Sequence, residues 1–391
     1  MRRRPIPEPV LREIAEKAAA AGLSRRAFLG LLGAAGGAAA LAACTGSGSQ
    51  AGRLRWGNWD YYIDTVGTKH PTLEQFEKES GIKVSYLTDI GDTDEFFGKV
   101  RGRLAAGQDC GYDLVCLNDW MAERWVRQGY TQAFDRQVMP NVNKNLLPMF
   151  ASASYDVDRT HTIAWQGGYG GIAWNKEMVP EGIKSISDMW DPKFHGHVEL
   201  FNEFVTTVSL VMWEQGTDPS SSWGDDEFNT ALDVINKHIK SGQVVQLSDN
   251  AIMEHLSNGD AWVGVVYSGD VAQVNDDAGK EILGFAIPEA GGTTWADHFM
   301  VPKPSGAIEE AQKLVDFYYD PVVAATVAAY VQYITPVNGA QEAMEQIDPD
   351  LVDDPLIFPT EEILKTCPLV RGFSMEEYSK YTEQFLALNQ T

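Results

Sequence analysis

The sequence predicts an α/β fold divided into two lobes. Strand-like and helix-like segments alternate from Arg53 onward, and the same alternation restarts past residue 160. A chain of 391 residues is also too long for one ordinary hydrophobic core. Alternation of this kind implies a largely parallel sheet with helices on both faces.

The elements follow in order. LRWGNW, from Leu54, reads as a strand, and Pro71 opens a helix that carries Leu73 and Phe76 and stops at Gly81, a usual C-terminal cap. IKVSYL is the next strand. Phe96, Phe97, Val100 and Leu104 then recur at helical spacing, and YDLVCL is a short apolar run of the buried parallel type. In the second half, Ser185 with Asp188 has the form of a capping box ahead of MWDPKF, HVELF is a strand, and Phe228, Leu232, Ile235 and Ile239 share one helix face. AWVGVVY and ILGFAI are buried strands, GTTWADHFMVP another, and EEAQKLVDFYY and PVVAATVAAYV are helical. The expected division is a first lobe of residues 53–165 and 293–322 and a second of 166–292 and 323–391. Ligands of open α/β sheets sit beyond the C-terminal strand ends, so two facing lobes enclose a cleft there.

The N-terminus indicates the compartment. Arg25-Arg26 followed by Phe28-Leu29 has the form of a twin-arginine export signal, and Leu41-Ala42-Ala43-Cys44 that of a bacterial lipobox. Residues 1–43 are expected to be removed, Cys44 to carry lipid, and residues 44–52 to act as a flexible tether to the outer face of the membrane or the periplasmic space. The run from Ala27 to Ala43 is too short and Gly-rich for a membrane span.

Removal of that segment takes away seven basic and three acidic residues, leaving 24 Lys+Arg against 52 Asp+Glu, a net charge of −28. Such a surface repels nucleic acid and attracts cations. Cys110, Cys116 and Cys367 show no paired spacing and imply no disulfide framework.

Enzyme signatures are missing: the chain has no GxSxG, HExxH, Walker or CxxC motif. Gly168-Tyr169-Gly170-Gly171-Ile172-Ala173 fits GxGxxA, but IAWN continues it as a strand and not as a helix, so no dinucleotide cofactor is expected. Those glycines instead permit a close crossing of the chain between lobes. His195-Gly196-His197 lacks further ligands for a metal.

What recurs is an aromatic beside an acid at strand ends. Trp59-Asp60-Tyr61-Tyr62, Asn118-Asp119-Trp120, Glu203, Tyr267 and the pair Trp295 and Asp297 all occupy such positions. Asp297 poses the sharpest question. Strand alternation sets Trp295, Asp297, Phe299 and Val301 on one face, and a carboxylate on an aromatic face needs a cation or several donors. Asp60, Asp119, Glu203, Asp270 and Asp297 all end or follow strands, so a paired-carboxylate glycosidase and a sugar receptor with stacking aromatics are rival readings.

NWDYY followed by LEQFEKESGIKVSYLT, then YDLVCLNDW, WNKEMV, DMWDPKFHG, GGTTWAD and YITPVN occur in an order that resembles the polyamine (spermidine/putrescine) binding proteins of ABC transporters. The likeness spans nearly all of the chain after the tether. It implies the type II periplasmic-binding-protein fold, with a hinge and an interlobe ligand cleft, and a receptor that performs no chemistry and delivers its solute to membrane permease subunits driven by a separate ATPase. It implies an aromatic box of Trp59, Tyr62, Trp120, Tyr267, Trp295 and Tyr333, with Asp297 and Glu203 as ammonium partners and Asn118 and Ser248 as polar neighbours. Asp60 is a further candidate. Two positions depart from the family pattern: Thr206 stands where many relatives carry a second carboxylate, and Val370 where Gln is frequent. Either Asp60 or Asp119 is a candidate substitute for the missing acid.

Overall fold

A computed structural model describes residues 52–249 and 251–390. The expected export signal, Cys44 and all but Gly52 of the tether lie outside the described residues.

In the first lobe β1 (Arg53–Gly57) lies between β2 (Lys83–Leu87) and β3 (Leu114–Asn118), parallel to both. Parallel neighbours need a long crossover, which the helices Pro71–Ser80 and Thr93–Ala105 provide. Pro71 opens the first helix, and Gly81 closes it at φ 74°, a left-handed conformation that costs glycine nothing. The second is capped by Asp92, whose side chain accepts from the Glu95 amide.

Two antiparallel strands join the lobes. β9 (Thr293–Met300) pairs with β3 on one side and with the thirteen-residue β4 (Ile163–Asn175) on the other. At about 3.3 Å per residue, β4 spans roughly 40 Å, enough to run from one core into the other. Its far half pairs with β7 (Val263–Tyr267) and β8 (Leu283–Ala286). β5 (Val198–Phe201) then lies parallel to β7 and to β6 (Val244–Ser248). The path reads β2-β1-β3-β9-β4-β7-β5-β6, with β8 beside β4.

Each half has its own core. Trp56 centres the first, with ring contacts of 5.7 Å to Trp165, 5.7 Å to Phe299 and 5.5 Å to Tyr318. Ile172, Val198, Phe204, Phe228, Val265 and Tyr381 build the second. Ile163 belongs to one core and Ile172 to the other, nine residues along the same strand. The reciprocal box expected at Ser185 is present: the Asp188 amide donates to the Ser185 hydroxyl at 3.1 Å, and the Ser185 amide to the Asp188 carboxylate at 2.9 Å.

The expected lobe boundary at residue 322 falls elsewhere in the packing. The helices Pro321–Val331 and Ala340–Ile347 put Val323, Ala328, Met344 and Ile347 into the first core. Pro321–Val331 follows Ile308–Tyr318 across a bend of 78°, too short a connection to reach the second core. Only the distal segment, with Phe373, Tyr381 and Phe385, packs in the second.

Trp56→Ala removes the hub of four aromatic contacts, so a loss of about 3–5 kcal/mol is expected. Urea unfolding followed by near-UV dichroism measures it.

Candidate functional site

The strand ends and crossings converge on a run of aromatic rings. Tyr62 and Tyr333 meet at 5.9 Å between centroids, Tyr333 and Trp295 at 5.0 Å, Trp295 and Tyr267 at 5.2 Å, and Tyr267 and Phe201 at 5.0 Å. Backbone geometry sets two of them. Tyr61 (φ 57°) and Gln332 (φ 56°) are both left-handed, which costs a non-glycine residue about 1 kcal/mol or more and turns Tyr62 and Tyr333 inward. Gly168 lies opposite Trp295 in the β4–β9 register, and a Cβ there would sit 2.6 Å from the indole and 2.9 Å from the Tyr333 ring. The expected role of these glycines, a close crossing, is met at this position.

Three carboxyl groups belong to the same cage. Asp297 is 4% exposed, and burial pushes it up to about 7, with the charge of Asp119 acting in the same direction. The Tyr62 hydroxyl and the Trp59 indole lie close enough to favour its ionised form, yet neither polar atom completes a hydrogen bond. Asp270 is pushed to about 6 by burial and accepts from the Tyr333 hydroxyl at 2.9 Å. Glu203, pushed to about 7 by burial, caps the helix Phe204–Glu214 by accepting from the amides of Val205 at 2.5 Å and Thr206 at 2.9 Å. The Tyr267 hydroxyl lies 3.5 Å from Glu203 and 3.3 Å from the Thr206 hydroxyl. Among the described residues none of the three forms an ion pair with Lys, Arg or His.

Asp119 is different. It accepts from His298 Nε2 at 2.5 Å, from the Ala296 amide at 2.8 Å and from the Tyr155 hydroxyl at 3.3 Å. Although burial opposes it, His298, the charge of Arg159 and these hydrogen bonds hold the carboxyl below its usual range, while burial lowers His298 itself, so its contribution is chiefly the hydrogen bond. Strand alternation puts His298 on the face opposite Asp297, so this pair ties β9 to the start of the helix Asp119–Arg127 and leaves Asp297 uncompensated. Asp119 is therefore no substitute for a missing ammonium partner.

The other candidates separate into groups. Trp59 is half-buried and reaches Asp297. Asp60 is exposed and accepts from the Tyr61 amide at 2.9 Å, the arrangement of a turn former. Asn118, directly opposite Asp297 in the β3–β9 register, caps the next helix through the Met121 amide. Trp120 leaves the cage and stacks on Tyr378, 6.4 Å away. Ser248 turns toward Glu199, donating at 2.6 Å, and Glu199 also meets His255 at 3.0 Å. Asp270 reads in the sequence only as a strand-end acid. Its place three residues beyond Tyr267, in the first turn of the helix Ser268–Ala278, was the available signal. His195 and His197 bond backbone carbonyls of Ser241 and Asp260.

A cavity of about 340 Å³ adjoins the cage through Thr206 and Trp295 and extends to Asp119, Trp120, Val370 and Arg371. Aromatic walls, buried and half-buried acids and an adjoining cavity between two α/β halves define a two-lobed binding protein for a small polar solute.

The comparisons agree. Residues 72–360 match the family described as bacterial extracellular solute-binding protein, and the chain belongs to that family. It is a family of substrate-binding transport proteins and not of enzymes. The chain is 27% identical over 337 residues to the spermidine/putrescine-binding periplasmic protein of Escherichia coli K12, covering 85% of this chain and 90% of that one. It is 28% identical over 326 residues to the putrescine-binding periplasmic protein SpuD of Pseudomonas aeruginosa, covering 79% and 84%. Among solved structures, the spermidine/putrescine substrate-binding protein PotD of Streptococcus pneumoniae superposes with a TM-score of 0.73 at 22% identity, covering 86% of this chain and 98% of that one. The TpPotD lipoprotein of Treponema pallidum gives 0.73 at 19%, covering 87% and 100%. The two-lobed periplasmic-binding-protein fold expected from sequence is the fold of this chain.

Two outcomes follow. An acid whose folded pKa exceeds its unfolded value near 4 holds its proton better when folded, so its contribution to stability falls as pH rises from about 4 to about 7. Asp297→Asn is thus expected to raise the melting temperature of the unliganded protein at pH 8 and to leave it nearly unchanged at pH 4, read by calorimetric scans. Gly168→Ala must displace Trp295 or Tyr333, and a loss of about 1–3 kcal/mol together with altered tryptophan fluorescence is expected.

Proposed function

We propose that this chain is an extracytoplasmic, lipid-anchored receptor that binds a polyamine in the cage and delivers it to an ABC importer. One observation carries the reading: the buried Asp297 and the half-buried Asp270 and Glu203 share an aromatic cage and have no protein cation among the described residues. A cation arriving from outside completes the set. Desolvated cation-π contact contributes roughly 2 kcal/mol, which does not offset dehydration of an ammonium group, and the carboxylates supply the remainder. The rings of Tyr62, Trp295 and Tyr333 cover the aliphatic spacer and exclude water.

Glu203 spends both oxygens on helix amides, so Asp297 and Asp270 are the acids with the most capacity left for ammonium groups. Two such acids favour a diamine over a longer polycation. The relatives named for spermidine or putrescine support the solute class, and the relative named as a lipoprotein supports anchoring through Cys44. Closure of the lobes around the solute is part of the proposal. It rests on the two crossing strands, about which the halves can rotate.

The test is titration of the purified protein with putrescine, spermidine and a panel of sugars. Putrescine is expected to release heat and raise the melting temperature, with Asp297→Asn weakening it more than tenfold. Heat from a sugar and none from any amine would overturn the reading. The ammonium group needs ionised partners, so affinity is expected to rise as pH increases through about 6–7 and to level off above 8. The amine itself stays charged throughout this range. Protons should be released on binding near pH 6.5, measured by repeating the titration in buffers of different ionisation heat.

A further inference from the structure

The two halves also meet away from the crossing strands. The helix Asp119–Arg127 belongs to the first half, where its Met121, Ala122 and Trp125 pack with Val115, Leu117 and Met300. Trp120, Glu123 and Arg127 follow at i, i+3 and i+7 on a neighbouring stripe of the same helix, and this stripe meets Phe373 and Tyr378 of the second half. Trp120 packs against a hydrophobic cluster of each half. Its ring stacks on Tyr378 at an interplanar angle of 21°, and Tyr378 meets Phe204 at 5.3 Å and Phe373 at 6.5 Å. Tyr378 is carried by the helix Met375–Leu386, which buries Tyr381 and Phe385 in the second core.

This contact has the make-up of one that parts. A void of about 20 Å³ remains within it, and charged Glu123, Arg124 and Arg127 line that void beside the rings. Close-packed cores leave few such gaps. The Trp120 indole nitrogen is buried there with no hydrogen bond among the described residues. The polar ties are few: the Tyr378 hydroxyl lies 3.5 Å from Asp94, and Gln128 Nε2 donates to Met375 Sδ at 2.9 Å. The β4–β9 ladder, by contrast, joins the halves through continuous backbone pairing. Trp120 and Phe373 also line the cavity of about 340 Å³, whose other walls include Thr293, Thr294 and Trp295 of β9. Tyr378 lines the void but not the cavity.

We propose that Trp120 and Tyr378 form a latch that holds the two halves closed and sets how fast a bound solute leaves. The proposal rests on the lobe closure of the receptor reading and adds what secures the closed form. The stack is made by the protein's own side chains and needs no solute to form. It therefore favours the closed arrangement in the empty protein, and a solute can leave only after the rings separate. Trp120 acts here through Tyr378 and not through the solute.

Small-angle scattering of the purified, solute-free protein and stopped-flow release of putrescine test the latch. Trp120→Ala and Tyr378→Ala are each expected to enlarge the radius of gyration and to speed release about three- to tenfold without slowing association. The double variant is expected to add little to either single change, since both remove the same stack. Trp120→Phe keeps a ring and is expected to restore most of the slow release. Wild-type dimensions or wild-type release rates in both alanine variants would overturn the proposal. So would faster release in Trp120→Ala alone, which would make Trp120 a direct solute contact, because Tyr378 does not reach the cavity. The scattering result decides the latch even if no amine binds: enlarged variants would then support it while the polyamine reading fell.

Discussion

The site depends on the antiparallel pairing of β4 with β9. That ladder carries the chain between two cores, and its register puts Gly168 opposite Trp295 and Gln166 opposite Asp297. Gln166 is buried and donates from its amide to the Tyr62 carbonyl at 2.8 Å, holding the loop after β1 against the crossing. A slip of one residue would exchange the two faces of β9, burying His298 in the cage and turning Asp297 toward Asp119. The irregularity between Ala164 and Gln166 falls beside this point, where the ladder adjusts from the first core to the cage.

Two neighbouring acids show how one strand separates structural from receptive charge. Asp119 meets a histidine, an amide and a hydroxyl, and its carboxyl is held below the usual range. Asp297 faces rings, and burial raises it to about 7. The first is an internal tie between β9 and a helix start. The second is left costly to ionise in the unliganded protein, which makes an incoming cation favourable. Such a site stores part of its affinity as instability of the empty state.

Legibility in the sequence followed the range of the interactions. The strands and helices around Pro71, Gly81 and Val198 were readable because local rules specify them. So was the alternation in TTWADHFM, which separates Phe299 in the first core from Met300 on the other face. Trp295, Asp297, Tyr62, Tyr267 and Tyr333 were singled out by acid–aromatic pairing and by family resemblance, and the fold brings them together. The boundary falls beyond residue 322 because Asp320 and Pro321 mark where a second apolar helix starts but not which core it enters. Asn118, Trp120 and Ser248 share the motifs of the site, but their side chains meet Met121, Tyr378 and Glu199.

The sequence by itself determined the α/β alternation, the acidic balance, the lack of catalytic motifs and the placing of acids beside aromatics at strand ends. These are properties of period, composition and spacing, which neighbouring residues carry. Only the tertiary structure decided which acids are compensated. It gave Asp119 to His298, set Asp270 beside Tyr333, and left Asp297 facing rings. The partner of Asp119, His298, is 179 positions away and that of Asp270, Tyr333, is 63 away, whereas the amides that meet Glu203 are its immediate neighbours. Long-range pairing of that kind is written in the register of β9 against its two neighbours, and no local pattern encodes it.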